Sequence, residues 1–386
     1  MFLGQAFFRI GKGSHRLCHQ SMKPRCQMPF SSLAEEEVML DITNQKGVIL
    51  LNRTKALNAL NLSMIRKVYP KLKRWQSELD LVIIRGAGGK SFCAGGDVRA
   101  IVEAGKRGDR LTKDFFREEY MLNYLTGTLK IPYIAIIDGI TMGGGFGLSV
   151  HGPFRVATEN TVFAMPETAI GLFPDVGGSH FLPRLKGKLG LFLALTGQRL
   201  TGRDVMSAGI ATHMCDAKRV PDLIEDLFDC PSGKEEQVKA VLKKHSDAST
   251  VGKDRRYSLE EHLSQIDAIF SADSVEEIVQ RLEKDGSNWA KDQKHTLMKM
   301  SPTSLKVTFE QLKRGAQLSL KDCFCMEYRL SQRFCTDHDF YEGVRAVLVD
   351  KDNNPRWKPD RLEEVTAEKV AHYFNPLPAE EELQLD

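Results

Sequence analysis

Residues 131–147 read IPYIAIIDGITMGGGFG, and this stretch constrains the fold more than any other. Tyr133 to Ile137 is apolar and Ile-rich, the composition of a strand buried on both faces. Asp138-Gly139 interrupts it, Gly143, Gly144 and Gly145 follow, and Phe146 to Val150 resumes an apolar pattern that opens a helix. Consecutive glycines leave backbone N–H groups uncovered by side chains. At a helix N-terminus such groups form an electropositive nest. Chemistry that develops negative charge on an oxygen gains most from donors of this kind. Taken alone, a glycine triplet is equally well explained by a flexible turn or by a helix packing closely on a strand.

A second unit of the same type precedes it. Leu81 to Arg85 reads as another buried strand, GAGGKSFCAGG follows over residues 86–96, and Asp97 heads a helical pattern through Val102. If the two glycine loops meet, two amides can point at one oxygen and form an oxyanion hole. Loss of one such donor typically costs about 2.7–4 kcal/mol of barrier. Neither loop has the GxGxxG spacing of a dinucleotide site or the GK[ST] ending of a phosphate loop. Met165 to Gly178, MPETAIGLFPDVGG, adds Glu167 and Asp175 among apolar neighbours. A carboxyl desolvated there has a raised pKa, which suits general acid–base work; a surface pair or a helix-capping Glu is the plainer alternative. Gly147-Leu148-Ser149-Val150-His151 lacks the final glycine of a nucleophile elbow, which argues against a serine hydrolase, and Cys93 with a distant histidine is weaker still. The ten histidines show no HExxH-like spacing, so a metal site is not expected.

The net charge of +3 is a property of the N-terminus. Residues 1–32 hold Arg9, Lys12, Arg16, Lys23 and Arg25 and no acid; the remainder carries 49 Lys and Arg against 51 Asp and Glu. The body is therefore not a polyanion binder by charge. The basic, acid-free N-terminus with Phe2, Leu3, Phe7, Phe8 and Ile10 reads as a mitochondrial transit peptide, and a matrix location follows. The eight cysteines are scattered without a CxxC pair and are expected to be free thiols. No apolar run approaches the roughly 18 residues of a membrane span.

The remaining pattern divides the chain into an α/β core over 33–230, a polar helical segment over 231–300, and a helical region over 301–386. Val38 to Thr43 and Gly47 to Leu51 read as strands around a polar turn. Asn61 or Ser63 caps a helix to about Glu78, whose basic face (Arg66, Lys67, Lys71, Lys73, Arg74) is a solvated surface or, on an alternative reading, a nucleic-acid contact. Lys113 to Thr128, Arg184 to Thr196 and Gly202 to Ala208 read as helices, and the Glu380-Glu381-Glu382 tail as mobile.

Three ordered motifs, SFCAGGD at Ser91 to Asp97, IPYIAIIDGITMGGG at Ile131 to Gly145 and PETAIGLFPDVGG at Pro166 to Gly178, together resemble the crotonase (enoyl-CoA hydratase/isomerase) superfamily. LTGQRLTGRDVMSAGIA at Leu195 to Ala211 and DFYEGVRAVLVDKDNNPRW at Asp339 to Trp357 extend the likeness. The resemblance implies an α/β fold, a spiral of ββα units with a helical C-terminal part. It implies a small-molecule acyl-CoA substrate whose thioester carbonyl lies between the Gly96 and Gly144 amides, with Lys55 to Leu60 and the segment from Ala94 along the CoA arm. No cofactor, metal, nucleic acid or membrane is implied, and a homo-oligomer is an open option.

Hydratases of the family carry one acid two residues after the glycine triplet and a second in the Pro-Glu motif. Here the first position is Gly147, the second acid remains as Glu167, and Asp175 stands where hydratases have Gly. This set resembles the branch that hydrolyses a short 3-hydroxyacyl-CoA thioester in valine breakdown; a hydratase or isomerase is the runner-up, and a non-catalytic RNA-binding protein on this fold the third reading. The resemblance gives Glu167 the role of nucleophile or of general base, and has Asp175 orient water or the 3-hydroxyl. It places an acid of the preceding helix, Glu119 rather than Glu118, near substrate.

Overall fold

The computed structural model describes residues 36–385; the expected transit segment at 1–32 lies outside the described residues. β1 (Val38–Thr43) and β2 (Lys46–Leu51) form an antiparallel hairpin. Its two turn residues, Asn44 and Gln45, both have positive φ, the geometry of a tight two-residue hairpin turn. Lys46 joins the strand rather than the turn and reaches Asp80 at 3.2 Å.

From β3 to β8, successive strands alternate between two sheets. β3 (Leu81–Gly86), β5 (Tyr133–Ile137), β7 (Phe154–Ala157) and β10 (His213–Met214) extend the hairpin sheet in the order β1-β2-β3-β5-β7-β10, whereas β4 (Ser91–Cys93), β6 (Ile140–Met142), β8 (Val162–Ala164) and β9 (Leu200–Thr201) form the other. Each of the pairs β3/β4, β5/β6 and β7/β8 sends one strand to each sheet, so the chain winds as a spiral of ββ units with helices between them. The first of those helices are α1 (Leu62–Glu78), α2 (Val98–Lys106), α3 (Leu111–Thr128) and α4 (Gly144–Val150). Asn61 caps α1, accepting from the Met64 amide at 2.9 Å, and Asp97 caps α2.

The continuous apolar runs of β3 and β5 have a direct cause. Val82, Ile84, Tyr133, Ala135 and Ile137 face the main core, while Leu81, Ile83, Ile134 and Ile136 face a second core. That second core is closed by Leu223, Ile224 and Leu227 of one helix and by Val238 and Leu242 of the next. The helices after α4 are α5 (Gly178–Phe181), α6 (Leu189–Thr196), α7 (Arg203–Ser207), α8 (Val220–Phe228), α9 (Glu235–Ala248), α10 (Leu263–Phe270), α11 (Val275–Asp285), α12 (Asn288–Leu297), α13 (Pro302–Gly315), α14 (Leu320–Phe334), α15 (His338–Val344) and α16 (Ala367–Phe374). The polar segment at 231–300 is helical, and its apolar stripes do packing work: α9 covers the outer face of the larger sheet, while Ile266, Phe270, Ile278 and Leu282 join the main core.

Two expectations are corrected. The helix expected over Arg184 to Thr196 is broken: a short turn ends at Arg184, and α6 begins only at Leu189. Gly187 takes a positive φ in the gap, and Asp267 of α10 accepts the Lys188 amide at 2.7 Å, so tertiary contact replaces the missing helical bonds. The acidic tail is docked, not free. Glu381 and Glu382 pair with Lys113 and Arg329, Arg117 binds the backbone carbonyls of both, and Leu383 and Leu385 are buried. The basic face of α1 is the solvated surface expected: Arg66, Lys67 and Arg74 are exposed and pair with Glu118, Glu36 and Glu78. Among the described residues no helix is long and apolar enough to cross a membrane.

Candidate active site

The two glycine loops leave the same end of one sheet. β4 and β6 are parallel neighbours, with Ser91 opposite Ile140 and Cys93 opposite Thr141, so the chain that follows each strand emerges beside the other. Leu60 then pairs with the first loop. Its amide donates to Gly95 O at 2.8 Å and its carbonyl accepts from the Asp97 amide at 2.7 Å. In this parallel pattern the flanking residues bond Leu60, and the Gly96 N–H points to the opposite side. Gly144 is the first residue of α4, where an amide has no acceptor within the helix.

These groups converge. A Cβ on Gly144 would lie 3.2 Å from Gly96 N and 2.6 Å from Glu119 Oε1, and one on Gly95 would lie 3.9 Å from Gly144 N. The triplet is therefore more than a flexible turn. Gly143 has φ +45 and turns the chain, Gly144 leaves the space between the amides and Glu119 open, and a Cβ at Gly145 would overlap the Cys93 carbonyl.

Three carboxyls surround this point. Glu119 comes from α3, Glu167 from the first position of a one-turn helix (Glu167–Ile170), and Asp175 from the loop before α5; none is more than 5% exposed. Glu167 Oε1 would be 3.0 Å from a Cβ on Gly143. Glu119 Oε1 and Glu167 Oε2 are buried with no hydrogen-bond partner among the described residues. Asp175 Oδ2 accepts from Tyr120 OH at 2.9 Å. Burial raises the pKa of all three; Glu119 is raised further by Asp175 and Glu167, and Glu167 by Asp175. Asp175 is pushed up to about 7, with the Tyr120 hydroxyl holding it below where burial alone would leave it. Acids so close in a dry setting cannot all be ionised at neutral pH, so the cluster retains protons it can trade. Glu118 lies on the other face of α3, bound to Arg66 at 2.6 Å.

A supporting layer was not read from the sequence. Glu327 of α14, fully buried, accepts from the Gly177 amide at 2.7 Å and the Ser179 amide at 2.9 Å, and from the Ser179 hydroxyl. Burial pushes its pKa up to about 8. It anchors the chain just past Asp175. Between them Val176 has φ +51, a costly conformation for a β-branched residue. His151, pushed down to about 4 by burial and hence neutral, donates from Nε2 to Val176 O at 2.7 Å and holds that turn. The available signal for Glu327 was its position on the apolar stripe of α14, one turn from Cys323, Leu330 and Ser331. Asp339, heading α15, accepts from the Ser301 hydroxyl at 2.6 Å and the Lys358 amide at 2.8 Å, and α15 packs on the Glu167 turn.

Gly147 has no room for a side chain. A Cβ there would lie 2.6 Å from Val176 Cβ and 2.8 Å from Asn123 Nδ2. The rejected nucleophiles are accounted for: the buried Ser149 hydroxyl donates to Phe146 O at 3.0 Å, and burial pushes the Cys93 thiol up to about 12. A cavity of about 300 Å³ between α6 and α13, lined by Leu182, Leu191, Phe270 and Leu312, contains none of the acids. The two carboxyl oxygens without partners among the described residues and the converging glycine loops, not the size of a recess, mark the chemistry.

Comparison with known proteins agrees with this geometry. Residues 46–374 match the family model for enoyl-CoA hydratase/isomerase. The chain is 58% identical to a Danio rerio protein named 3-hydroxyisobutyryl-CoA hydrolase, mitochondrial, over 90% of this chain and 92% of that one. It is 57% identical to the Xenopus tropicalis protein of the same name, over 93% and 94% respectively. A solved structure, a carnitinyl-CoA dehydratase from Mycobacterium thermoresistibile, superposes with a TM-score of 0.83 at 36% identity, over 91% of this chain and 99% of that one. Paired glycine loops over a buried glutamate, a two-sheet spiral and a match running through most of the sequence lead to one assignment: the chain belongs to the enoyl-CoA hydratase/isomerase family.

Proposed function

We propose that this protein hydrolyses the thioester of 3-hydroxyisobutyryl-CoA in the mitochondrial matrix, releasing 3-hydroxyisobutyrate and free CoA. The observation that carries the reading is the approach of the Gly96 and Gly144 loops beside a buried Glu167 whose Oε2 has no hydrogen-bond partner among the described residues. Relatives at 54–58% identity over about nine-tenths of the chain bear that hydrolase name, with the word mitochondrial in it. The solved carnitinyl-CoA dehydratase is more distant in sequence. The filled space at Gly147 favours hydrolysis over hydration, because the acid that hydratases of the family carry there has no place to stand.

In this mechanism the two amides hold the thioester oxygen as it gains negative charge. Glu167 supplies the carboxylate, either attacking the carbonyl carbon to form a mixed anhydride or removing a proton from attacking water. Sulfur leaves as the CoA thiolate and takes up one proton. Water contributes its oxygen to the acid product directly or by opening the anhydride at the substrate carbon; opening at the glutamyl carbon instead leaves water's oxygen in Glu167 and a former Glu167 oxygen in the product. Asp175, poised near neutrality, orients water and exchanges a proton with it. Glu119 packs against Gly144 and shapes the carbonyl pocket. CoA enters as part of the substrate, and the scheme uses no further cofactor.

The test is thiol release from 3-hydroxyisobutyryl-CoA, run beside the absorbance of crotonyl-CoA. Robust hydration without thiol release would reject the reading. A single turnover in 18O-water followed by mass spectrometry of the Glu167 peptide tests the covalent route: label in the side chain reports an anhydride opened at the glutamyl carbon, and where the peptide is unlabelled, trapping with hydroxylamine separates an anhydride opened at the substrate carbon from general-base catalysis.

A further inference from the structure

Glu327 is completely buried on α14 and has no ion pair among the described residues. A buried acid is costly unless its acceptors are all used, so its presence in the interior needs a reason. Its three hydrogen bonds come from one short turn: the Gly177 amide at 2.7 Å on Oε2, and the Ser179 amide at 2.9 Å with the Ser179 hydroxyl on Oε1. The helix that follows, α5, is a single turn of four residues, so these bonds serve the chain that precedes it.

That chain carries Asp175, and it is held residue by residue. Pro174 O accepts from Gln311 Nε2 of α13 at 2.7 Å, Asp175 O from the Gly178 amide at 2.8 Å, and Val176 O from His151 at 2.7 Å. Val176 and Gly177 both have positive φ, +51 and +85. A β-branched residue keeps that conformation only where its surroundings impose it, and such strain gathers where a side chain must be aimed. The carboxyl end of Asp175 is fixed from the same helix as its backbone. Tyr120, which donates to Asp175 Oδ2, packs on Phe324, three residues before Glu327 on α14. A carboxyl suits the place of Glu327 and a carboxamide does not. Ionised or protonated, each carboxyl oxygen can accept from an amide, whereas a carboxamide must turn its NH2 toward one of the two N–H groups.

We infer that Glu327 is a positioning residue for thioester hydrolysis: through the Gly177 and Ser179 amides it fixes the turn that points Asp175 at the acid cluster, and it affects turnover by way of Asp175. The inference rests on the hydrolase reading and deepens it, giving the helical C-terminal region a part in aiming a residue of the spiral core. Misplacing a reacting group by about 1 Å costs on the order of 100-fold in rate, so loosening this turn lowers kcat.

The experiment is a double-mutant cycle on kcat for CoA release from 3-hydroxyisobutyryl-CoA. It uses the unaltered enzyme, Glu327→Gln, Asp175→Asn and the double variant, with circular dichroism to check that each is folded. Asp175→Asn should lower kcat by about 100-fold, and Glu327→Gln by about 10- to 100-fold. The double variant should match Asp175→Asn within about twofold, because a loosened turn then has no carboxylate left to misplace. A residue that merely supports the fold would lower kcat by the same factor in both backgrounds. That additive result overturns the inference, as does a normal rate in Glu327→Gln or in Asp175→Asn. If Glu327→Gln fails to fold, Ser179→Ala takes its place in the cycle, since it removes only the hydroxyl bond to Oε1. A loss of about threefold or more that vanishes in the Asp175→Asn background supports the inference; no loss, or an equal loss in both backgrounds, overturns it. Release of CoA by none of the proteins, the unaltered enzyme included, would instead reject the hydrolase reading itself.

Discussion

Tyr120→Phe is the sharpest probe of the acid cluster. The substitution keeps a ring that packs on Phe116 and Phe324, with centroids 6.0 and 5.7 Å away, and deletes only the hydroxyl bound to Asp175 Oδ2 at 2.9 Å. A hydrogen bond to a charged group is worth about 1.5–3 kcal/mol, which at about 1.4 kcal/mol per unit amounts to one or two pKa units. The Tyr120 hydroxyl stabilises ionised Asp175, so its loss moves the pKa from about 7 upward, to roughly 8–9. If ionised Asp175 is needed for turnover, the acid limb of the pH–rate profile moves the same way. Thiol release at pH 7 should fall by about 5- to 50-fold and recover as the pH approaches 9. The assay is kcat/KM for CoA release from pH 5.5 to 9.5, with circular dichroism as a check on folding. An acid limb that stays in place, or a loss equal at every pH, would refute the argument.

Other outcomes follow from the same geometry. Glu167→Gln should lower kcat by about 10²–10⁴-fold without lowering the melting temperature, because the lost carboxyl is buried and its Oε2 has no partner among the described residues; a near-normal rate would remove Glu167 from the mechanism. Gly144→Ala places a methyl 2.6 Å from Glu119 Oε1 and 3.2 Å from Gly96 N and should cost about 10²–10³-fold in kcat, read in the same thiol assay. Glu119, Glu167, Asp175 and Glu327 all have pKa values raised in the folded state, so the native protein binds more protons than the unfolded chain between about pH 4 and 8. Their contribution to stability should therefore decline as pH rises through that window, and Glu119→Gln should flatten the decline in melting temperature. Gly147→Ala should destabilise by about 1–3 kcal/mol through contact with Val176 and Asn123, measured by denaturant melts.

The sequence alone determined β3 and β5, because a strand buried on both faces is a short apolar run; the three-residue β4 and β6 were hidden within the glycine-rich stretches. It also located the glycine loops, since only glycine meets the turn at Gly143 and the crowding at Gly145. It brought Glu167 and Asp175 forward through their apolar neighbours. The tertiary structure decided what depends on which face of an element meets which partner. Glu118 and Glu119 are adjacent in sequence and about 100° apart on the helix, and α3 has apolar residues on most of its circumference, so only packing sends one to Arg66 and the other to the acid cluster. Glu327 and Asn123 are ordinary polar helix residues until long-range contacts bury them, one satisfied by Gly177 and Ser179, the other left with both polar atoms free. The tail behaves likewise: three glutamates in a row read as solvated, and only the positions of Lys113, Arg117 and Arg329 on distant helices make them a docking strip. Local pattern reports what a residue needs; the folded chain determines whether another segment supplies it.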